Sequence, residues 1–404
     1  MFFNLRIAFA LTLLGIPVWA QETARRSLQT LHHFGATEVS SANGLILAAN
    51  GEFYGTAYGG GVDDFTCSSF GCGVVFRFSL TGGLTVLYQF TPNSPNGNNP
   101  RAPLVPDGAG GFYGTTARGG ATDSGTIFHL TGDALTTEYQ MNRGSEHTPV
   151  GLSRASNGDL LLVTEGSTPS FGGVLRYTPG TGPMVVLKDY PGGNPQVGIL
   201  PVGVMEASDG KLYGVVGQGG TATEYGSIFR MTGGGGDYTT LHTFKGPDGG
   251  ISEAGVIQAS DGFLYGATAR GGRLTRCISS FISGCGVVYR ISTGGAFQLL
   301  HEFGGNDGAD PYSPLLQASD GNLYGTTYGG GIFETCPGVG IAGLGCGTVF
   351  RITPAGALTT LHRFAAIDGA NPRGALIEGP DGFLYGTTDR GGRFQNGTVF
   401  RIAK

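Results

Sequence analysis

The chain has 404 residues, a formal net charge of -5 and only 13% charged residues, against an ordinary share of about 25%. That balance attracts no polyanion, which excludes nucleic acid and anionic membrane as main partners. Glycine accounts for 77 residues, nearly three times its ordinary usage of about 7%; interleaved with apolar and aromatic residues and lacking a three-residue period, it excludes collagen and disorder and predicts short strands joined by tight turns.

Residues 1–20 read as a secretory signal peptide. Arg6 supplies the positive region, Ile7 to Val18 the apolar run, and Val18-Trp19-Ala20 the small-residue cleavage site before Gln21. The apolar run is too short for a membrane span. No cysteine stands at the cleavage point, and Phe400 to Lys404 form no hydrophobic tail. The expectation is a soluble protein, secreted or periplasmic, with no membrane insertion.

The remaining residues, 21–404, are read as one domain of tandem repeats. Ser27 to Phe34 come first and have the sequence of a unit's last strand, like Leu361-His362-Arg363-Phe364 further on. The clearest full unit runs from Asp307 to Phe364. Pro314 to Ser319 form its first strand, Asp320-Gly321 a hairpin turn, and Asn322 to Thr327 the second strand. A long loop follows, then Gly347 to Ile352 and Ala357 to Phe364 as third and fourth strands. Tyr54, Tyr113, Tyr213, Tyr265, Tyr324 and Tyr385 mark the second strands. The interval from Tyr113 to Tyr213 is nearly twice the others and holds a worn unit at Asn157 to Val163. Seven units of about 55 residues result, each with four strands. Such units pack radially, so the predicted fold is all-β: a seven-bladed β-propeller with four antiparallel strands per blade. The expected blades span about 35–90, 91–141, 142–190, 191–244, 245–304, 305–364 and 365–404 plus 27–34. The last unit stops after its third strand, so the N-terminal strand is expected to complete it and protect both edges.

The six cysteines fall in close pairs between second and third strands: Cys67 with Cys72, Cys277 with Cys285, and Cys336 with Cys346. In an exported chain these predict local disulfides; zinc is the weaker alternative, since no second Cys or His pair lies nearby. The repeated Tyr and the Val-Phe-Arg-Ile aromatics are expected to pack between sheets. The glycine after each tyrosine is expected where a side chain would strike the neighbouring blade or block a bulge.

The run Asp381 to Thr388, the pair Gly391-Gly392 and the strand Gly397 to Ile402 resemble the tandem-repeat family called the Gloeobacter–Verrucomicrobia, or GloVer, repeat. The resemblance covers essentially all of the chain after the signal; Leu162-Val163-Thr164 in the third unit departs furthest. It implies an exported, propeller-like protein and transfers no catalytic residues.

No position declares a chemistry. Asp107, Asp209, Asp261, Asp320 and Asp381 have a turn explanation. His32, His33, His242, His301 and His362 recur in fourth strands, leaving His129 and His147 as the irregular histidines. No nucleophile elbow, zinc-protease helix or dinucleotide loop fits the strands. Information should lie where the repeat is broken, in the long loops on one face of the ring. Those of blades one, five and six are the longest and carry the cysteines. Their candidate binding residues are Asp63, Asp64 and Phe65, Arg270 and Arg273, and Tyr328 and Glu334, with Phe70, Arg276, Phe281 and Phe333 nearby. No cofactor is expected; calcium is the alternative, at Asp307 with Asp310 and Asp368 with Asn371. The function expected is a non-catalytic binding or scaffold propeller recognising a glycan or an envelope or extracellular protein. The alternative is a secreted polysaccharide-active or quinone-dependent enzyme working at one mouth of the channel.

Overall fold

The computed structural model describes residues 28–35, 37–61, 67, 71–142, 148–166, 170–191, 199–219, 225–274, 277, 282–332, 336 and 345–404. They form seven four-stranded antiparallel sheets. β1 (Gln29–His33) stands apart in sequence. Blade one is β2 (Ser40–Leu47) to β5 (Gly83–Gln89), blade two β6 (Val105–Pro106) to β9 (Ala134–Gln140), and blade three β10 (Thr148–Arg154) to β13 (Val185–Pro191). Blade four is β14 (Ile199–Glu206) to β17 (Thr239–Thr243), and blade five β18 (Ile257–Gln258) to β21 (Phe297–Glu302). Blade six is β22 (Leu316–Gln317), β23 (Leu323–Thr327), β24 (Thr348–Ile352) and β25 (Leu358–Arg363). Blade seven is β26 (Ile377–Glu378), β27 (Leu384–Thr387) and β28 (Thr398–Ile402), completed by β1. β1 runs antiparallel to β28, with Gln29 opposite Arg401 and His33 opposite Thr398. The Phe34 N–H extends the seam to the Gly397 carbonyl at 3.0 Å. The ring is therefore closed by the N-terminal strand.

Each third strand buries both its faces because it is sandwiched between two sheets. In β24, Phe350 and Ile352 join Tyr265 and Val288 of blade five, whereas Val349 joins Leu384 and Phe400 of blade seven. Clusters of this kind fill every junction around the ring, including that of blades seven and one, where Tyr385 and Val399 meet Phe53 and Phe76. The repeated tyrosine also anchors its own hairpin. Tyr213, Tyr265, Tyr324 and Tyr385 donate to Asp209, Asp261, Asp320 and Asp381 at 2.7–2.8 Å.

The glycine after the tyrosine clears the expected bulge in blades one and four, where a Cβ on Gly55 or Gly214 would stand 2.7 or 2.6 Å from the Gly44 or Gly203 carbonyl, and it has a second reason in the third strand. A Cβ on Gly325 would stand 2.6 Å from the Phe350 ring, and one on Gly214 2.3 Å from Phe229. The obstacle is the aromatic ring of the third strand in the same blade, not the neighbouring blade. First strands also differ from expectation. That of blade six narrows from Pro314–Ser319 to Leu316–Gln317, since Pro314 has no N–H for the ladder. Hydroxyls stand in for the missing rungs: Ser313 Oγ lies 3.1 Å from Thr326 Oγ1, and Ser252 donates to the Ala267 carbonyl at 2.8 Å.

Each disulfide borders a joint between blades. Asn99, Asp310 and Asn371 enter the next blade in the left-handed region, at φ 54°, 55° and 56°. Their N–H groups donate to the carbonyls of Cys72, Cys285 and Cys346 at 2.7–3.0 Å. Asn and Asp tolerate this conformation; a β-branched residue does not. Ile251 nevertheless holds the same place in blade five, at φ 50°.

Two stability effects follow. Gly325→Ala should cost about 1–3 kcal/mol through overpacking, with part recovered when Phe350→Leu is added; additive losses in a denaturant-unfolding cycle would contradict the ring contact. Ile251→Asn should stabilise by about 1 kcal/mol by relieving the left-handed strain, and a lowered Tm would refute that cause.

Candidate functional site

In an antiparallel four-stranded blade, the loops between second and third strands share one face of the ring with the connections from fourth to first strands. The opposite face carries the hairpins, and its polar groups are already committed. Ser156, Ser208, Ser260 and Ser319 donate their N–H groups to Glu206, Gln258, Gln317 and Glu378 of the following blade, at 2.6–2.7 Å. A depression of about 600 Å³ on that face is lined by Pro106, Arg154, Ser156, Glu206 and Ser208. These are largely the same stitching residues, so the depression follows the repeat.

The loop face breaks the repeat at two positions. Four residues before the first-strand residue that pairs with the second-strand tyrosine, or with its equivalent Leu161, stand Ala42, Arg101, Pro149, Pro201, Glu253, Tyr312 and Arg373. Four residues after the second-strand tyrosine, or its equivalent Leu161, stand Tyr58, Ala117, Glu165, Gly217, Ala269, Tyr328 and Asp389. Isolated bridges such as Gly250–Arg270 and Ala370–Arg390 bring the ends of first and second strands together. Both sets therefore ring the inner mouth of the channel.

Their side chains interlock across blades. Arg101 pairs with Glu165 and lies 5.7 Å from the centroid of the Tyr58 ring. Arg373 lies 5.7 Å from that of Tyr312, whose ring is 5.0 Å from Tyr328. Arg270 donates to the buried Asp310 carboxylate. Crowding by protein raises the Glu253 carboxyl above its usual range; Arg373 and Arg270 oppose the rise, Asp310 and Glu165 add to it. Glu253 nonetheless stays exposed to water. Burial pushes Asp310 up to about 6 against the pull of Arg270. Burial likewise lifts the Tyr312 phenol to about 12, with Glu253 and Asp310 adding to it and Arg270 and Arg373 opposing. The Asp389 side chain is 6% exposed, and its Oδ1 meets no hydrogen-bond donor among the described residues.

Of the candidates read from sequence, Arg270 and Tyr328 lie in this mouth. Arg273 does not: it is exposed, and its N–H donates to Glu302 on a fourth strand at 2.8 Å. Asp63, Asp64, Phe65 and Glu334 lie outside the described residues, as do Phe70, Arg276, Phe281, Phe333 and His147. The three disulfides are present as paired, with Cα separations of 5.0, 5.0 and 5.6 Å. Arg101, Glu165, Glu253, Tyr312, Arg373 and Asp389 were missed by loop length. Aligning the units on their tyrosines and reading down each position would have found them.

The other polar clusters are structural. His242, His301 and His362 contact Asp248, Asp307 and Asp368 at 2.8–2.9 Å, and each carboxylate also caps a turn N–H. Burial would raise Asp307, but His301 and the Gly304 N–H outweigh it and hold the carboxyl low. Of the oxygens proposed for calcium, those of Asp307 and Asp368 are engaged by histidine and turn and that of Asp310 by Arg270, while Asn371 Oδ1 is buried and meets no donor among the described residues. His129 is irregular because it takes the third-strand arginine position; it contacts Asp107 at 2.8 Å and stacks on Tyr113 at 4.4 Å.

Solved structures share this fold at low identity. Catalytically inactive virginiamycin B lyase from Staphylococcus aureus with quinupristin aligns with a TM-score of 0.61 at 15% identity, covering 94% of this chain and 99% of that one. The WD40 propeller domain of Doa1 gives 0.55 at 10% identity, covering 94% and 97%. An oligogalacturonate lyase in complex with manganese gives 0.53 at 12% identity, covering 93% and 96%. At these identities the likeness is one of fold. No curated protein matches the sequence. The model of the Gloeobacter/Verrucomicrobia repeat matches residues 18–205 and 200–404, and with both halves of the ring accounted for, the chain belongs to that repeat family.

Proposed function

We propose that this protein is an exported carbohydrate-binding propeller whose ligand seats in the loop-face mouth, against blades five, six, seven and one. One observation carries the reading. Positions that the repeat makes equivalent hold Glu253, Tyr312, Arg373, Tyr328, Asp389 and Tyr58 on that arc beside Ala42 and Ala269, whereas blades three and four hold Pro149, Pro201 and Gly217 beside a Glu165 that is paired with Arg101. The disulfide-bearing loops belong to blades five, six and one, so two independent departures from the repeat favour the same side. Tyrosine rings offer flat faces for sugar C–H groups, and the flanking charges offer hydrogen bonds to hydroxyls. Three disulfides fit an oxidising compartment, secreted or periplasmic. A glycan array probed with the secreted chain should give binding that the Tyr312→Ala/Tyr328→Ala double variant weakens about 10- to 100-fold, as for buried aromatic anchors. Silence across the array, or binding indifferent to both tyrosines, would defeat the proposal.

A second reading is favoured by Glu253. A carboxyl held above its usual range beside Tyr312 and Arg373 is the kind of group that acid–base chemistry on a polysaccharide uses. Two of the fold neighbours are lyases, although fold alone assigns no activity. New reducing ends or unsaturated products released from polysaccharide, and abolished by Glu253→Gln, would favour the enzyme; binding without turnover leaves the binding protein.

A further inference from the structure

We infer that the saccharide recognised here is an acidic one, whose carboxylate docks on Arg373 above the Tyr312–Tyr328 pair. This rests on the carbohydrate reading of the mouth and narrows it to a sugar class.

The arginines of the mouth are used unequally. Arg101 is taken by Glu165 and Arg270 by Asp310, and Arg390 lies 3.8 Å from Asp389. Arg373 is exposed and has no carboxylate within salt-bridge distance among the described residues. Its guanidinium lies over the Tyr312 ring instead. A cation–π contact at 5.7 Å uses the charge and no N–H group, so the guanidinium keeps its donors for a planar two-oxygen acceptor, which is a carboxylate. Beside it the Tyr312 and Tyr328 rings supply a surface for a pyranose. Asp389, close enough to Tyr328 to raise its phenol further after burial, holds a buried oxygen with no donor, suited to a sugar hydroxyl. A carboxylate, a ring face and a hydroxyl donor coexist in a uronic acid. A neutral sugar would leave the Arg373 edge unused.

The test is an array of uronate oligosaccharides with their carboxyl-reduced neutral counterparts and sulfated analogues, probed with the full secreted chain and its variants, each checked by thermal melting. We expect binding to the uronates, lost about 10- to 100-fold in Arg373→Gln, the range of a hydrogen bond to a charged group. Arg373→Lys should fall between, keeping the charge without the fork. Neutral counterparts bound equally well, with Arg373→Gln indifferent, would overturn the acidic assignment and leave the carbohydrate reading standing. Equal binding of sulfated analogues would overturn the carboxylate. No binding to any glycan would overturn both readings.

Discussion

A sheet whose two faces are both apolar cannot be an end. Each blade here carries aromatic and branched side chains on either face, and each face is covered only by the next blade. A linear stack would leave two such faces in water and would need polar capping units. Closure removes the problem, and the antiparallel pairing of β1 with β28 makes closure hold without a covalent bond between first and last blades. The interblade clusters, the hairpin stitches and the position of the mouth all presuppose that seam.

Much of this was legible in the sequence because it is repetitive. The tyrosine spacing reveals the number of blades, the mismatch between the two chain ends reveals the closing strand, and the placement of cysteines within the unit reveals their pairing. Gly325 shows where such reading stops. Repetition says that glycine is needed, but the ring of Phe350 that needs it becomes a neighbour only when second and third strands pair. Pro314 shows the same limit for strand length, since the hydroxyl of Ser313 replaces a ladder rung that pattern alone would assign to the backbone.

The mouth was harder to read for a different reason. Loop length draws attention because it is conspicuous, yet Glu253, Tyr312 and Arg373 occupy no insertion. They sit in register within the unit, at the one place where seven strand ends converge. A substitution there is invisible to the scaffold because the side chain points into the channel mouth and packs on other members of the same set. Symmetry of the frame and diversity of the mouth are therefore compatible: the frame tolerates change where it is not using the side chain.

The closing seam also has a temporal side. β1 is among the earliest segments of the chain and β28 among the last, so their contact has the longest sequence separation in the fold. Until both have emerged, blade seven is a three-stranded sheet with an open edge, and blade one lacks its neighbour. Blades two to six can assemble from local hairpins, but the ring remains an open crescent with unpaired strands at its tips, the form most prone to pairing with another chain. The last five-residue strand decides whether the crescent becomes a ring.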